Sequence, residues 1–306
     1  MGSGRWSPRD WDTYDTTHIK GKSTAKIYSK TTLVDELNPH GVAIRESRDS
    51  DDNPNSNAII VALDVTGSMH NVIDSMARKG LATLATEIHD RKPVQDPHIM
   101  YMGIGDVEVG DKAPLQVTQF EADMRIAEQL TKIYLEGGGG GNGWESYNLA
   151  WYFAGMHTSI DCFEKRGKKG YLFTVGDEEV PRGLSREHIE TVCGDKLQAD
   201  LSLDDMLDMA TKMYHVYHIM VEEGSHFKYG RGDATIKGWT NLLGQRAIKL
   251  SDHTKLSEVI VSTIQLNEGM EPDAIIDSWD GSTSIVVKRA IDGMVTAEKS
   301  GGIVTL

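Results

Sequence analysis

Strands that alternate with helices along this sequence predict an α/β fold with a mostly parallel central sheet and helices on both faces. Three observations carry the prediction. Residues 58–63 form a continuous apolar run of strand length, as in a central strand that is buried on both faces. Apolar residues then recur at helical spacing from Val72 to Ile88. Further apolar strands, at residues 98–104 and 170–175, are separated by helical patterns.

The remaining elements follow the same alternation. We predict a strand over residues 115–120, helices over 122–135, 146–157, 185–192 and 203–213, a strand over 215–221 and a last amphipathic helix over 256–266. Short alternating runs predict edge strands or a hairpin at residues 24–28 and 42–45, and further strands at 284–288 and 302–306.

The turn-rich, acidic stretch 47–57 indicates a domain boundary. We therefore divide the chain into an N-terminal extension (1–57), a main domain (58–268) and a C-terminal extension (269–306). The last segment either pairs with the N-terminal extension or remains a mobile tail that recruits a partner.

Composition and net charge narrow the classes of function and partner that we expect for the chain. The chain has 306 residues, of which 39% are hydrophobic, so a sizeable core can form. A net charge of -14 argues against nucleic acid or an anionic membrane as the main partner, and leaves divalent cations or basic protein surfaces. We find no apolar stretch of membrane-spanning length and no signal-peptide core. Cys162 and Cys193 have neither metal-ligand nor redox spacing, so we expect reduced, partly buried thiols in a cytoplasmic protein.

In open α/β sheets, ligands bind at the carboxyl ends of the strands. The first apolar strand is followed by the sequence DVTGSM, in which Asp64, Thr66 and Ser68 can converge on one point. Asp177 follows the strand at residues 170–175, and a glycine-rich loop, residues 137–146, precedes a helix. Hard oxygen ligands of this kind suit magnesium, manganese or calcium.

This ordered set of motifs resembles the von Willebrand factor A domain with its metal-ion-dependent adhesion site. Asp64-x-Thr66-x-Ser68 is similar to the DxSxS motif of that family, Asp177 matches its distal aspartate, and the glycine-rich loop matches its middle element. The resemblance covers roughly residues 57–267. It implies a three-layer, Rossmann-like α/β/α fold, with about six strands and one antiparallel edge strand.

The resemblance also implies how the site works. The Thr66 and Ser68 hydroxyls would bind the metal directly, with magnesium the expected ion, while Asp64 and Asp177 would act mainly through ordered waters. An Asp or Glu of a protein partner would then complete the shell, so that the chain binds a partner and is not an enzyme.

The middle loop departs from the family pattern because it contains no Thr. Ser146, Asn142 or Glu145 must substitute, and we favour Ser146 or Asn142. If Glu145 coordinates directly, three carboxylates surround the ion, which would be held more tightly but would attract a partner carboxylate less.

The stretches MGSGRW, LEGGGGGN–ESY and KRGKKGYLFTVGDE resemble an intracellular bacterial or phage branch of the family. Relatives of that kind are paired with MoxR-type AAA+ ATPases, which by analogy makes this chain an adaptor.

Two alternatives remain open. A magnesium-dependent phosphotransferase of the haloacid-dehalogenase type would use Asp64 as nucleophile, although the lysine and the GDGxND motif of such enzymes are absent. Alternatively, DVTGSM is an ordinary strand–turn–helix whose Asp64 or Thr66 caps the helix, and the domain is purely structural.

Around the predicted metal we expect a partner-binding rim of Met69, Trp144 and Glu178, with Trp144 equally able to pack down onto the domain. Asp106, Glu108 and Asp111 form an acidic loop after a strand, which we interpret as solvated in preference to a selectivity patch.

Overall fold

The computed structural model describes residues 4–137 and 141–294. Its strands are β1 (Arg45–Ser47), β2 (Asn57–Asp64), β3 (Pro97–Ile104), β4 (Leu115–Val117), β5 (Thr158–Ile160), β6 (Gly170–Gly176), β7 (Tyr214–Val221) and β8 (Ala247–Leu250). Six of them form the central sheet in the order β4-β3-β2-β6-β7-β8. Its neighbouring pairs are parallel except β3 and β4, which are antiparallel. The predicted sheet with one antiparallel edge is confirmed.

Helices cover both faces of this sheet. They are α1 (Pro8–Tyr14), α2 (Thr24–Ile27), α3 (His70–Ser75), α4 (Leu81–Arg91), α5 (Arg125–Leu130), α6 (Tyr147–Met156), α7 (Asp161–Glu164), α8 (Arg186–Cys193), α9 (Leu203–Met213), α10 (Ser225–Lys228), α11 (Gly232–Leu243), α12 (Leu256–Asn267), α13 (Pro272–Asp277) and α14 (Gly281–Ile291). A π-helical turn, Met76–Gly80, joins α3 to α4. Among the residues with described structure, no helix is long and apolar enough to cross a membrane.

The burial of strand β2 on both faces shows why the fold has three layers, one sheet between two layers of helices. Every residue of β2 is buried, and alternate side chains point to opposite faces because a strand has a period of two residues. Ile59, Val61 and Leu63 join a core with α3, α4 and α12, whereas Ile60 and Ala62 join a second core with α6, α9 and α11. The apolar run of β2 is therefore a consequence of burial on both faces of the strand.

The N-terminal segment packs on the first of these cores through four buried side chains, Ile19, Ile27, Tyr28 and Leu37. Its strand β1 pairs in parallel with β5 in a separate two-stranded sheet. Beside that sheet, Asp161 accepts hydrogen bonds of 2.8 Å from Arg48 Nη1 and from the backbone N–H of Asp49. The segment is thus joined to the rest of the chain by packing on the first core, by strand pairing with β5 and by contacts with Asp161 of α7.

The C-terminal helices α13 and α14 pack on the same core, where Ile275 and Val287 are fully buried. The prediction of a strand at residues 284–288 is therefore wrong. Its β-branched residues belong to α14, in which Val286 and Val287 are buried and Ile285 is 71% exposed. The segment 302–306, also predicted as a strand, lies outside the described residues.

Two other predictions were wrong in part. Residues 24–28 contain the short helix α2, not an edge strand, so no hairpin forms with residues 42–45. The helix predicted over 122–135 is confined to Arg125–Leu130. Beyond it the chain runs along β4, where the Gln116 amide both donates to Tyr134 O and accepts from Tyr134 N at 2.8 Å.

Candidate metal centre

The DVTGSM turn leaves the sheet at its centre. Asp64 ends β2 with its side chain fully buried, and its Oδ1 accepts hydrogen bonds from the Thr66 backbone N–H at 2.9 Å and from the Thr66 hydroxyl at 2.7 Å. Its Oδ2 accepts a hydrogen bond of 3.1 Å from the Tyr147 hydroxyl. The carboxylate is thus held in one orientation by its own turn and by α6. Ser68 lies in the following turn, Gly67–Met69, and its side chain is outside the described part of the structure.

Asp177 follows β6, the neighbour of β2. Leu63 pairs with Val175, so Asp64 and Asp177 leave adjacent strands at the same edge of the sheet. Asp177 is fully buried, and its Oδ2 accepts hydrogen bonds from the His226 backbone N–H at 3.0 Å and from the Ser225 hydroxyl at 3.4 Å. The two predicted aspartates are therefore close together, as their positions in the sequence indicated.

Gly224 allows the loop after β7 to approach Asp177 closely. A Cβ atom at position 224 would lie 2.2 Å from the Asp177 Cβ, much closer than two carbon atoms can approach. The conformation of Asp177 thus depends on the absence of a side chain at this position.

Asp106 is the residue that the sequence argument missed. It follows β3, the other neighbour of β2, and is fully buried, so the solvated interpretation is wrong for this member of the acidic loop. Its Oδ2 accepts from the Asn142 side-chain amide, and its Oδ1 accepts from the Ser146 hydroxyl at 3.3 Å. The available signal was its position immediately beyond a buried strand.

Asn142 and Ser146, the two residues favoured as metal ligands from the middle loop, therefore form hydrogen bonds with Asp106 instead. Besides its contact with Asp106, the Ser146 Oγ accepts a hydrogen bond of 3.0 Å from the Val107 backbone N–H. The Asn142 amide is also bonded to Asp106. Both side chains hold the middle loop to the end of β3.

Glu145 stands apart from its neighbours. Its side chain is buried, with the residue only 1% exposed, and its Oε2 has no hydrogen-bond partner. Burial, together with the charges of Asp64, Glu178 and Asp106, strongly raises the pKa of Glu145. A carboxyl group in this situation requires either a proton or a cation.

Glu178 is a largely buried carboxyl group close to Asp64, Asp106 and Asp177, and it does not lie on the predicted partner-binding rim. Its side chain is 13% exposed, it lies 3.6 Å from the ring of His226, and its Oε2 is buried without a hydrogen-bond partner. Burial, with the charges of Asp64, Asp177 and Asp106, raises its pKa to about 8. The pKa of Asp64 is raised by burial and by the charge of Asp177.

We name this group the strand-end cluster, and its members are Asp64, Asp106, Glu145, Asp177 and Glu178. In the described part of the chain, no lysine or arginine forms an ion pair with Asp64, Asp106 or Glu145. Buried carboxylates are normally paired with a cation or coordinate a metal. The donor set, all oxygen and with two carboxylate oxygens lacking a partner, fits a hard divalent ion.

Of the residues predicted for the partner-binding rim, Trp144 and Met69 differ in exposure, and the role of the rim stays a prediction. Trp144 is partly exposed, its Nε1 donates to Glu108 at 3.2 Å, and the Arg182 guanidinium lies 4.4 Å from its ring centre. Met69 is completely buried in the first core, so it cannot contact a partner.

Among the described residues, no three carboxylates of the strand-end cluster bring their oxygens within 4.8 Å of one another, but two separate groups are that compact, His157–Cys193–Asp195 and Glu223–Asp252–His253. The first lies at the opposite end of α6 from Tyr147. There the His157 ring contacts Val42 O at 2.8 Å and Asp195 Oδ2 at 2.6 Å, so hydrogen bonding already accounts for its arrangement. Both cysteines of the chain are free and buried, as expected.

Comparison with known proteins adds little. No protein-family description matches the sequence, and no curated protein matches it. Among solved structures, two of the pilus adhesin SpaC from Lactobacillus rhamnosus GG, one of them in an open conformation, are similar to 72% of this chain. Their TM-scores are 0.47 and 0.48, at 10% identity. The chain spans only 31% and 32% of the adhesin, and we draw no functional conclusion from the similarity.

Proposed function

We propose that this chain is a metal-dependent protein-binding module of the von Willebrand factor A type. The observation that carries the proposal is the strand-end cluster, in which buried carboxylates follow the ends of three adjacent strands and the central one, Asp64, contacts the Thr66 hydroxyl. Such a concentration of buried negative charge is costly unless a cation balances it. The strand order, with β2 at the centre and one antiparallel edge, agrees with the fold that the sequence resemblance implies.

In this proposal Thr66 and Ser68 supply neutral ligands, Asp64 and Asp177 supply negative charge, and magnesium is the resident ion. Magnesium prefers oxygen ligands and keeps part of its water shell, so it can exchange a water for an oxygen atom of a partner. When bound, the ion contributes an open coordination position.

The partner remains a hypothesis from resemblance. A MoxR-type AAA+ ATPase is the class that the family implies, and the chain would then recruit or position substrates for it in the cytoplasm. The proposal contains no catalytic step, because the chain's residues bind and orient an ion and a partner.

Calorimetric titration of metal-stripped protein tests the proposal. We expect saturable binding of magnesium or manganese to the wild type, and its loss in Asp64→Asn, which keeps the shape of the side chain. Asp208→Asn, at an exposed position of α9 that belongs to neither of the groups with metal-ligand geometry, is the matched control and should bind as the wild type does. Circular dichroism should show that both variants are folded.

Two results would overturn the proposal. Wild-type protein that binds no divalent ion would leave the strand-end cluster without its cation. Metal-dependent hydrolysis of a phosphate ester that requires Asp64 would instead support the haloacid-dehalogenase alternative.

A further inference from the structure

The middle loop is anchored on both sides of β2. The Ser146 backbone N–H donates to Gly105 O at 3.0 Å, at the end of β3, and the Glu179 N–H donates to Gly143 O at 3.2 Å, at the end of β6. Strand β2 lies between these two strands and ends at Asp64. The loop therefore crosses directly above Asp64, and Glu145 lies between its two anchors.

The buried polar side chains of this loop differ in whether they have hydrogen-bond partners. Asn142 and Ser146 are bonded to Asp106, with Ser146 also accepting from the Val107 N–H. Glu145 is equally buried, but its Oε2 has no hydrogen-bond partner. Since an unsatisfied buried carboxylate oxygen is costly, it is the atom of this loop that most needs a ligand.

We infer that Glu145 is the metal ligand of the middle loop, in the position where the resembled family has a neutral Thr, and that the loaded site therefore takes a neutral oxygen from its partner and rejects a carboxylate. This inference rests on the proposed function. Asn142 and Ser146 become positioning residues, which hold the loop through Asp106.

The net charge of the ion and its carboxylate ligands explains why the expected partner group is a neutral oxygen and not a carboxylate. Asp64 and Asp177 together balance a divalent ion, so Glu145 gives the shell a net charge of about -1 even before Glu178 is counted. A partner Asp or Glu would bring a further negative charge next to buried carboxylates, where repulsion is strong. A backbone carbonyl, an amide or a hydroxyl would complete the coordination without that repulsion.

Magnesium titration of four variants tests the assignment of the ligand. We expect Asn142→Ala and Ser146→Ala, which remove contacts that position the loop, to weaken magnesium binding about tenfold, and Glu145→Gln and Glu145→Thr, which remove the ligand itself, to weaken it more. In the metal-stripped state, Glu145→Gln should unfold at a higher temperature than the wild type, because it removes a buried carboxyl group. A loss of affinity with a gain in metal-free stability separates a ligand from a residue that merely supports the fold.

Water proton relaxation of the manganese-loaded protein tests the partner chemistry, with acetate as the carboxylate probe. Acetate at tens of millimolar should leave the relaxation rate of the wild type unchanged, because it cannot displace the bound water. In Glu145→Thr, acetate should enter the shell and lower the rate.

The outcomes separate this inference from the proposed function. If the wild type binds metal and Asp64→Asn does not, but the Glu145 variants bind as tightly as the wild type, only the Glu145 assignment is lost. The same follows if Ser146→Ala costs as much affinity as Glu145→Gln. Acetate that displaces water from the wild type overturns the partner chemistry. A wild type that binds no metal overturns both proposals.

Discussion

The hydroxyl of Tyr147 donates a 3.1 Å hydrogen bond to Oδ2 of Asp64, and thereby connects the first residue of α6 to the last residue of β2. The Tyr147 ring fits because position 176 is glycine, where a Cβ atom would lie 1.9 Å from the hydroxyl. Since Thr66 bonds the other oxygen, both oxygens of the Asp64 carboxylate are held in one orientation without an ion. Residues that orient ligands in this way strongly affect metal affinity.

Tyr147→Phe tests this orientation. We expect magnesium affinity to fall about tenfold, and the free energy of unfolding to fall by about 1–2 kcal/mol, because a hydrogen bond to a buried carboxyl group is lost. Calorimetry and urea denaturation measure the two effects. Tyr101→Phe is the control, because the Tyr101 hydroxyl is buried without a partner, and this variant should lose neither affinity nor stability. Equal behaviour of the two variants would contradict the role given to Tyr147.

Gly224→Ala tests the close approach of the loop to Asp177. The new Cβ would displace the loop that donates to Asp177, so we expect magnesium binding to be lost and stability to fall by about 1–3 kcal/mol. Gly137→Ala is a control in open space, since a Cβ there has no neighbour within 4 Å. Undiminished magnesium binding by Gly224→Ala would show that the position of Asp177 does not matter.

The raised pKa values predict how stability depends on pH. Burial raises the pKa of Glu178 to about 8, and burial with neighbouring charges also raises those of Asp64 and Glu145. The folded state then binds more protons than the unfolded state above pH ~4.5, so metal-free protein should lose stability as the pH rises from ~4.5 to ~8. The slope is at most about 1.4 kcal/mol per pH unit for each such group.

Magnesium should reverse this trend, because the ion replaces the protons. Its stabilising effect is expected to grow from pH 5 to pH 8, reaching about 1.4 kcal/mol when its concentration is about ten times the dissociation constant. Thermal unfolding at several pH values, with and without magnesium, measures both effects. Metal-free protein that becomes more stable towards pH 8 would rule out the explanation.

Asp161→Ala tests the attachment of the N-terminal segment. The side chain of Asp161 is 2% exposed, pairs with Arg48 and Lys165, and accepts a hydrogen bond from the Asp49 N–H, so its removal takes away a buried partner of three groups at once. We expect a loss of about 3 kcal/mol. Glu164 also pairs with Arg48 but is 44% exposed, and Glu164→Ala should cost less than about 1 kcal/mol. Urea denaturation measures the free energy of unfolding of both variants. Similar losses in the two would mean that burial of the carboxylate does not decide how much stability is lost.

Much of the fold could be predicted because burial leaves a clear pattern. The apolar run of β2 and the helical spacing from Val72 to Ile88 are produced by the two cores themselves. Where local preference and packing disagree, the prediction was wrong. Val286 and Val287 favour a strand locally, yet packing on the first core makes them part of a helix.

The site was predicted less completely. Asp64 and Asp177 could be found because each directly follows an apolar strand. Asp106 was assigned to solvent because sequence does not reveal that Asn142 and Ser146, more than thirty residues away, cover it. The same contacts explain why Glu145 was ranked below its neighbours, since hydrogen-bond competition within a loop depends on the folded structure.

The central position of β2 divides the site into a fixed half and an adjustable half. Asp64 ends a strand that is hydrogen-bonded along both sides, so its main chain cannot shift without disturbing two ladders. Residues 141–146 of the middle loop and the loop around Gly224 belong to no strand of the sheet. If the chain is the metal-dependent module proposed above, changes in a few loop residues would alter the preferred ion or partner, while the arrangement of the core would be inherited unchanged.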